Sequence, residues 1–408
     1  MFFCGFSIRQ KVGSVFIIVI STVSKYSKTA EFSSVFEFKR ISPNHMAMEI
    51  TKRSADFLGG IKKTDGIVII YNNDGDGISA CALMMKFLEK SDHKKPYIIS
   101  QPMPMDKNLT QRVKTGIPHK IIFLDMAADQ QENIVKQMRG LGDVLIVDHH
   151  QVHKNLNSGH TNDSEPVVVH YNPRMNNSNT YQSTSYCIYK ICSKLMDMED
   201  CLWIAGVGMV ADYNLNDSKD IVKALRDKYG LTEEKLYDTK LGRIADMISA
   251  TSATKALSYE QMVGVMMNAD LDDFEKAPHA DKMVESNEII RHEMQILTED
   301  AESTMERSGK VLIYNMKSKY NLSSPLSTKL SEKYPKNLLV IYQVAGNRLK
   351  ISSRNQAKNV NAARVMERAA KSVGGSGGGH DAAAGATIPR DKWEEFKETM
   401  IKMANKTE

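Results

Sequence analysis

The stretch "IVDHHQ", residues 146–151, places an aspartate and two histidines directly after an apolar run. Asp148, His149 and His150 follow four apolar residues that have the composition of a buried strand. Imidazole and carboxylate groups together suit a transition metal such as Mn²⁺ better than they suit Mg²⁺ alone. The triplet therefore predicts a metal site, although a polar strand end without function would look the same in isolation.

Further acidic side chains stand at the ends of other predicted strands. Asp74 and Asp76 follow "GIVIIY", and Asp125 ends "HKIIFLD". Ligands of an open parallel sheet bind outside the carboxyl ends of its strands, so these carboxylates should converge on one edge. Converging carboxylates repel one another and become protonated unless a cation neutralises them. Helix capping would explain one or two of these residues but not the whole series.

The elements that must position these residues alternate along the first half of the chain. The predicted strands are "GIVIIY", "PYIIS", "HKIIFLD", "DVLIVD" and "PVVVHYNP". Helical patterns cover residues 78–88, 109–114, 130–139, 183–196 and 202–211. Strands separated by helices of this length form right-handed βαβ units, so the predicted fold class is α/β with a parallel sheet.

Composition limits the class of protein. A chain of 408 residues with 42% hydrophobic and 25% charged residues is long enough for two or three domains with ordinary cores. Its five cysteines include no C-x-x-C pair, which argues against a disulfide framework or a zinc cage and favours a reducing, cytoplasmic compartment. The chain also has no G-x-S-x-G elbow directly after an apolar strand and no G-x-x-x-x-G-K-[ST] loop, the motifs of serine hydrolases and P-loop enzymes.

The net charge of +5 is unevenly distributed. Residues 306–408 contain 19 Lys and Arg against 9 Asp and Glu, a local charge of +10, so residues 1–305 carry −5. An acidic N-terminal part and a basic C-terminal part are typical of metal chemistry in the first and polyanion binding in the second. Solvated faces of lysine-rich helices would give the same count, and charge alone leaves both interpretations open.

The first 45 residues stand apart from the rest of the chain. Arg9 and Lys11 precede the apolar run "VGSVFIIVISTV", which is too short to span a membrane but has the outline of a signal-peptide core. No A-x-A cleavage pattern follows it. We interpret residues 1–45 as an N-terminal extension that results from a start codon placed too far upstream, with Met46 or Met48 as the true start. A real targeting segment is the alternative.

Six stretches in this order resemble the motifs of one known family. "NNDGDGISA", "FLDMA", "IVDHHQ" and "GMVADY" are similar to the four motifs of the DHH phosphoesterases. "ISSRN" and "GGSGGGHDAAAGA" are similar to the arginine-containing strand and the glycine loop of the associated DHHA1 domain. The resemblance runs from Lys52 to the C-terminus and is greatest for the archaeal RecJ-like exonucleases.

The resemblance implies a ligand set for two Mn²⁺ ions, with Mg²⁺ as the alternative metal. It assigns Asp125 as the bridging aspartate, Asp148 as the group that orients the imidazole of His149, and His150 to the scissile phosphate. Many relatives carry a histidine where this chain has Asn72, so the metal at Asp74 should bind more weakly. The implied metal ligands are Asp74, Asp76, Asp125, His149 and Asp212.

The resemblance also implies a substrate site in the basic C-terminal region. Gly377, Gly378, Gly379 and His380 would let backbone N–H groups approach a phosphate, and Arg354 would form a forked contact with it. A flexible Gly/Ser linker and a salt bridge at the rim are the alternatives. Three aromatic residues could stack on bases, although core packing is the preferred interpretation for each: Tyr181, Trp203 and Tyr213.

The implied architecture is a DHH domain (46–228), a helical connector (229–305) and a smaller α/β DHHA1 domain (306–408), with a cleft between the two lobes. The predicted function is a Mn²⁺-dependent exonuclease on single-stranded DNA or RNA, with 5′→3′ polarity, in DNA repair or replication. It would work with replication or repair proteins and without a membrane. The alternatives are a phosphodiesterase or phosphatase for short oligonucleotides, cyclic dinucleotides or adenosine bisphosphate, and a catalytically silent scaffold.

Overall fold

The computed structural model describes residues 43–158 and 166–406 of the chain. Contacts divide these residues into two compact units. The first runs to Ala245 and includes Tyr259–Asp272, and the second comprises Asp246–Ser258 and the residues from Asp273 onward. The apolar run of residues 12–23, with its two interpretations, lies outside the described residues.

The first unit is built around a five-stranded parallel sheet. Its strands are β1 (Ile67–Tyr71), β2 (Tyr97–Ser100), β3 (Lys120–Leu124), β4 (Asp143–Val147) and β5 (Val168–Tyr171). They lie in the order β2-β1-β3-β4-β5, and every neighbouring pair is parallel. This confirms the predicted α/β class and the five predicted strands.

Nine helices of the described chain accompany this sheet or follow it. One of them, Lys240–Thr254, begins in the first unit and ends in the second. Residues 130–139 form a 3₁₀ turn and then a helix, where the sequence predicts one continuous helix. The helices are α1 (Pro43–Gly59), α2 (Gly75–Lys90), α3 (Leu109–Lys114), α4 (Glu132–Arg139), α5 (Thr184–Cys192), α6 (Leu202–Ala211), α7 (Lys219–Tyr229), α8 (Lys240–Thr254) and α9 (Tyr259–Asn268).

The parallel strands are apolar on both faces because both faces are covered. All five residues of β1 are buried. Val68 and Ile70 pack on one side with Leu109 of α3 and Val135 of α4. Burying one such aliphatic side chain stabilises the fold by about 1.5–3 kcal/mol. This continuous burial is the reason that the strands appear as uninterrupted apolar runs in the sequence.

The turn from β1 into α2 carries two of the acidic residues. Asp74 is the N-cap of α2, and its Oδ1 accepts a hydrogen bond of 2.9 Å from the Gly77 amide. A Cβ at position 77 would collide with the carbonyl oxygen of Asn72, so the sharp turn requires glycine there. The "DGDG" stretch therefore places both carboxylates at the carboxyl end of β1.

The second unit contains a six-stranded mixed sheet. Its strands are β6 (Glu306–Ser308), β7 (Val311–Asn315), β8 (Leu338–Ala345), β9 (Arg348–Arg354), β10 (Ser376–Gly379) and β11 (Ala383–Pro389). They lie in the order β10-β11-β9-β8-β7-β6, and only the pair β7 and β8 is parallel. The helices of this unit are α10 (Ala280–Thr304), α11 (Ser323–Lys333), α12 (Ala362–Ser372) and α13 (Trp393–Lys406).

Residues of the second sheet alternate between two cores. Val311 and Ile313 of β7 face a core that includes residues of α12 and α13. Leu312 and Tyr314 of the same strand face another core that includes residues of α10 and α11. Helices therefore cover both faces, as a two-residue period predicts for a strand between two layers. No helix in the described ranges is long and apolar enough to cross a membrane.

Two helical glycines differ in the space around them, which gives a test of the packing of α6. At Gly208 an added Cβ would meet the Ser185 side chain and lie 2.8 Å from Asp76 Oδ1. At Gly264 in α9 it would meet nothing within 4 Å. We expect Gly208→Ala to lower the free energy of unfolding by about 1–3 kcal/mol through overpacking. Gly264→Ala should raise it by about 0.4–1 kcal/mol. Urea unfolding of both variants checks the pair, and equal effects would contradict this packing.

Candidate metal centre

The predicted acidic and histidine residues meet at the carboxyl ends of β1, β3 and β4. These three strands are neighbours in the sheet, and the strand order reverses between β1 and β3. Open α/β sheets bind ligands at such a point because the connections leave it on opposite faces of the sheet. Asp74 and Asp76 follow β1, Asp125 follows β3, and the D-H-H triplet follows β4.

One group of possible ligands consists of Asp76, His149 and Asp212. One ligand atom from each residue lies within 4.8 Å of the others. His149 Nδ1 is 3.5 Å from Asp212 Oδ2, and both atoms are buried without a hydrogen-bond partner. Buried polar atoms without partners are costly, and a cation between them would satisfy both. The residues present therefore fit a metal ion.

A second group consists of Asp125, His149 and His150, again with ligand atoms within 4.8 Å of one another. His149 Nε2 lies 3.1 Å from Asp125 Oδ1. His149 thus belongs to both groups, and the bridging role that the resemblance assigns to Asp125 stays a prediction. His150, predicted to face the scissile phosphate, lies within reach of a metal.

Asp76 is held in place by the start of α5. Its Oδ2 accepts a hydrogen bond of 2.7 Å from the Thr184 amide, and its Oδ1 accepts one of 3.0 Å from the Ser185 amide. The N-terminus of a helix carries partial positive charge, which stabilises a carboxylate there. The Thr184 hydroxyl also donates to Asp125 Oδ1 at 3.2 Å. Sequence reasoning missed both residues, although "STS" at the start of a predicted helix was the available signal.

Asp74 lies at the edge of this cluster and belongs to neither group of ligands. Its carboxylate caps α2, as described above, and its Oδ2 accepts a hydrogen bond of 2.5 Å from the Asn72 amide. The same Asn72 amide lies 3.3 Å from Asp125 Oδ2. Asn72 therefore links two carboxylates at the point where the resemblance leads one to expect a histidine.

The orienting contact of Asp148 differs from the expectation. Its Oδ1 lies 2.7 Å from His150 Nδ1, so the carboxylate orients His150 and not His149. Asn172, another residue that sequence reasoning missed, donates to Asp148 Oδ2 at 3.3 Å.

The pKa values of three clustered carboxyl groups are raised, which indicates that their ionised forms lack a compensating positive charge. Burial raises the pKa of Asp76, and burial with the charges of Asp74 and Asp76 raises the pKa of Asp125 well above its usual range. Burial and the charge of Asp76 raise the pKa of Asp212 to about 6. Burial lowers the pKa of His150, but the hydrogen bond to Asp148 outweighs it and raises the value to about 9. A bound cation would reverse the carboxylate shifts by favouring the ionised forms.

The predicted substrate residues lie in the second unit, around a groove of about 660 Å³. Arg354, the last residue of β9, lines this groove, and its Nε is buried without a hydrogen-bond partner. Residues Gly377–Gly379 also line it, but they form the edge strand β10 and not a loop. His380 is exposed in the turn after β10 and does not line the groove. The described structure thus brings the arginine and the glycines together without the histidine.

Several residues that sequence reasoning missed also line this groove. They are polar residues, and the side chains among them that reach the groove could donate hydrogen bonds to a phosphate or sugar. Serine pairs in "LSSP" and "ISSR" were the only available signal, and serine is too common in loops and strands to be informative. The added lining residues are Asn321, Ser323, Ser324, Lys350, Ser352 and Ser353.

Two domain families match the chain in the expected order. The DHH family, N-terminal domain, matches residues 66–212, and the DHHA1 domain matches residues 309–406. The chain therefore belongs to the DHH family and combines its N-terminal domain with a DHHA1 domain.

Solved structures of RecJ share this fold. RecJ from Thermus thermophilus in complex with Mn²⁺ matches with a TM-score of 0.65 at 16% identity, over 87% of this chain and 55% of that chain. An exonuclease RecJ bound to manganese matches with a TM-score of 0.62 at 15% identity, over 88% and 94%. Among curated proteins, an uncharacterized protein of Methanocaldococcus jannaschii is 26% identical over 191 residues. That alignment spans 44% of this chain and 40% of that protein.

The position of Asp125 gives the first test of the metal centre. We expect Asp125→Ala and Asp125→Asn to reduce phosphodiester hydrolysis to less than a few per cent and to lower the Mn²⁺ content at equilibrium dialysis. Asp125 has a left-handed backbone (φ +60), which asparagine tolerates better than alanine. Asp92 is an exposed aspartate with φ +56, so Asp92→Ala and Asp92→Asn are matched controls. Full turnover in Asp125→Asn would exclude Asp125 from the centre.

Asn72 gives a second test. Asn72→His should tighten Mn²⁺ binding, because an imidazole beside Asp74 and Asp125 adds a ligand that Mn²⁺ favours. The neighbouring variant Asn73→His should leave the affinity unchanged. Isothermal titration with Mn²⁺ compares the two variants with the wild type. Weaker binding by Asn72→His alone would show that the amide contributes more by holding the two carboxylates than a histidine contributes as a ligand.

Proposed function

We propose that the protein is a Mn²⁺-dependent phosphodiesterase that acts as a single-stranded DNA or RNA exonuclease, with 5′→3′ polarity, in DNA repair or replication. The observation that carries this proposal is the pair of ligand groups that share His149 at the carboxyl edge of the sheet. Membership in the DHH family supports a phosphoester substrate, and the fold shared with RecJ supports a nucleic-acid strand. We further propose a cytoplasmic location and partners among repair or replication proteins.

The two ligand groups would hold two Mn²⁺ ions, with Mg²⁺ as the alternative. Bound divalent ions lower the pKa of water toward neutrality and stabilise the charge that develops on a phosphoryl group. The amides at the start of α5 hold the Asp76 carboxylate. Asp212 lies at the end of α6, and both carboxylates lie close enough to His149 to share one ion with it. The hydrogen bond between Asp148 Oδ1 and His150 Nδ1 fixes the direction of the His150 ring at the site. With water as the nucleophile, no serine or cysteine side chain is needed for the attack.

The guanidinium of Arg174 adds a phosphate contact that sequence reasoning missed. Arg174 lies over the ring of Tyr181 at 5.2 Å, and that ring lies 5.4 Å from the ring of His149. Its Nε is buried without a partner, and among the described residues its side chain forms no ion pair within 4.0 Å. A guanidinium that forms no ion pair within the described chain is suited to a phosphate that arrives with its own negative charge.

The groove of the second unit would bind the strand away from the bond that is cut. Residues 306–408 carry a local charge of +10, which favours a polyanion. Arg354 offers a fork of donors for a phosphate, and Gly378 presents backbone with open space around it. A strand held at its end on this unit would be degraded from that end, which is the property of an exonuclease.

A length series of 5′- and 3′-labelled single strands tests the proposal in Mn²⁺ and in Mg²⁺. We expect rates that increase with length up to several nucleotides, successive shortening from the 5′ end, and higher activity in Mn²⁺. Activity confined to dinucleotides, cyclic dinucleotides or adenosine bisphosphate would contradict the exonuclease and favour a phosphodiesterase or phosphatase for such small substrates. If the metal-loaded protein hydrolyses none of these substrates, the catalytically silent scaffold is the interpretation that remains.

Arg354 separates substrate binding from metal binding. We expect Arg354→Ala to raise the apparent KM on oligonucleotides and to reduce the slope of log KM against log salt by about one. The Mn²⁺ stoichiometry and the rate on a small activated phosphodiester should not change. His380→Ala should have the same pattern with a smaller effect on KM, since this side chain lies outside the groove.

Arg348→Ala is the matched control, because Arg348 lies at the other end of β9, is exposed and does not line the groove. It should retain the wild-type KM and salt slope. Equal losses of Arg354→Ala on the small ester and on the oligonucleotide would mean that Arg354 supports the fold and not the substrate.

A further inference from the structure

Tyr213, the residue directly after the candidate ligand Asp212, is a solvent-exposed aromatic side chain. It is 71% exposed, although the sequence favours core packing for it; Trp203, by contrast, is 3% exposed and lies in the core as predicted. A large apolar ring in water has a cost unless a partner covers it at some stage. Its position next to the metal centre makes the substrate the partner to consider.

The backbone of Tyr213 also departs from what its side chain favours. Tyr213 has φ +54 and follows α6 at the position where a left-handed residue closes the helix. Its amide donates to the Val210 carbonyl at 3.1 Å, and the Asn214 amide donates to the Met209 carbonyl at 2.9 Å. These two bonds define a Schellman motif, in which glycine is the usual left-handed residue. A bulky side chain at such a position indicates a functional reason for keeping it.

A second tyrosine supports the exposed ring from behind. The rings of Tyr213 and Tyr237 lie 5.1 Å apart with an interplanar angle of 31°. Tyr237 is half-buried in the short 3₁₀ helix Leu236–Asp238, so it fixes the direction of its partner.

We propose that Tyr213, backed by Tyr237, is a stacking platform for the nucleobase next to the phosphate that is cut. This inference rests on the proposed function, because it assumes that the substrate carries bases. Aromatic faces stack on any base, so the platform would position the strand without selecting a sequence. It would therefore act on the binding and orientation of the nucleotide, while the metal centre acts on the phosphate.

Substitutions at position 213 can separate stacking from stability. Tyr213→Gly removes the ring and supplies the residue that the left-handed position favours, so its Tm should equal or exceed that of the wild type. Its KM on a single strand should rise by about 5- to 150-fold, the range that loss of one stacking contact gives. Tyr213→Phe should keep the wild-type KM, since the ring remains.

Abasic substrates identify the base that contacts the platform. A single tetrahydrofuran abasic residue is moved along the strand, and the ratio of KM for the abasic and intact strands is measured at each position. In the wild type we expect a raised ratio where the missing base borders the cleaved bond. In Tyr213→Gly that ratio should be close to one, because there is no ring left to lose contact.

Tyr97→Ala is the matched control, since Tyr97 is another exposed tyrosine of the same unit, at the amino end of β2. It should show the wild-type ratios throughout. If the wild type cleaves strands but Tyr213→Gly keeps the raised abasic ratio, the platform is wrong while the exonuclease stands. If the wild type cleaves no strand that carries bases, the proposed function fails and the platform is withdrawn with it.

Discussion

Mutual repulsion among buried carboxylates is the constraint on which the first unit depends. Asp76 and Asp125 are almost fully buried, and the charge of Asp76 raises the pKa of both Asp125 and Asp212. The protein reduces part of this cost by aiming helix amides at Asp76 and by placing His149 between Asp125 and Asp212. The unsatisfied atoms of His149 and Asp212 mark the remainder. A divalent cation is the group that would remove it, so metal binding and stability should be coupled here.

The order of the strands makes this concentration of charge attainable. The order β2-β1-β3-β4-β5 sets the ends of β1, β3 and β4 side by side, so three short stretches of sequence meet at one edge. Continuous burial keeps those strands rigid, while the left-handed backbone of Asp125 and the tight turn before Gly77 aim the side chains. The clustered acids at the polar edge lower the free energy of unfolding. The buried aliphatic side chains of the apolar layers raise it and so offset this loss.

The sequence predicts the strands of the first sheet and the set of residues at its edge, because buried parallel strands and ligand-type residues are local signals. It does not predict which atoms meet. Asp148 contacts His150 instead of His149, and His149 belongs to both ligand groups. Those contacts depend on side-chain directions after the strand ends, which a one-dimensional pattern does not contain. Asn172 and Thr184 escaped notice for the same reason, since their role arises from packing.

The glycine-rich stretch is a second place where the sequence pattern does not predict the local structure. Its composition is that of a loop or linker, yet Ser376–Gly379 pairs with Gly385 and its neighbours as an edge strand. An added Cβ at Gly377 would collide with the carbonyl oxygen of Met366, so glycine here permits close packing of β10 on α12. Small residues therefore allow α12 to approach β10 closely. The backbone of this edge strand carries no side chains at its glycines, so it can line the groove. One local requirement of packing thus produced a surface that a phosphate-bearing chain can approach closely.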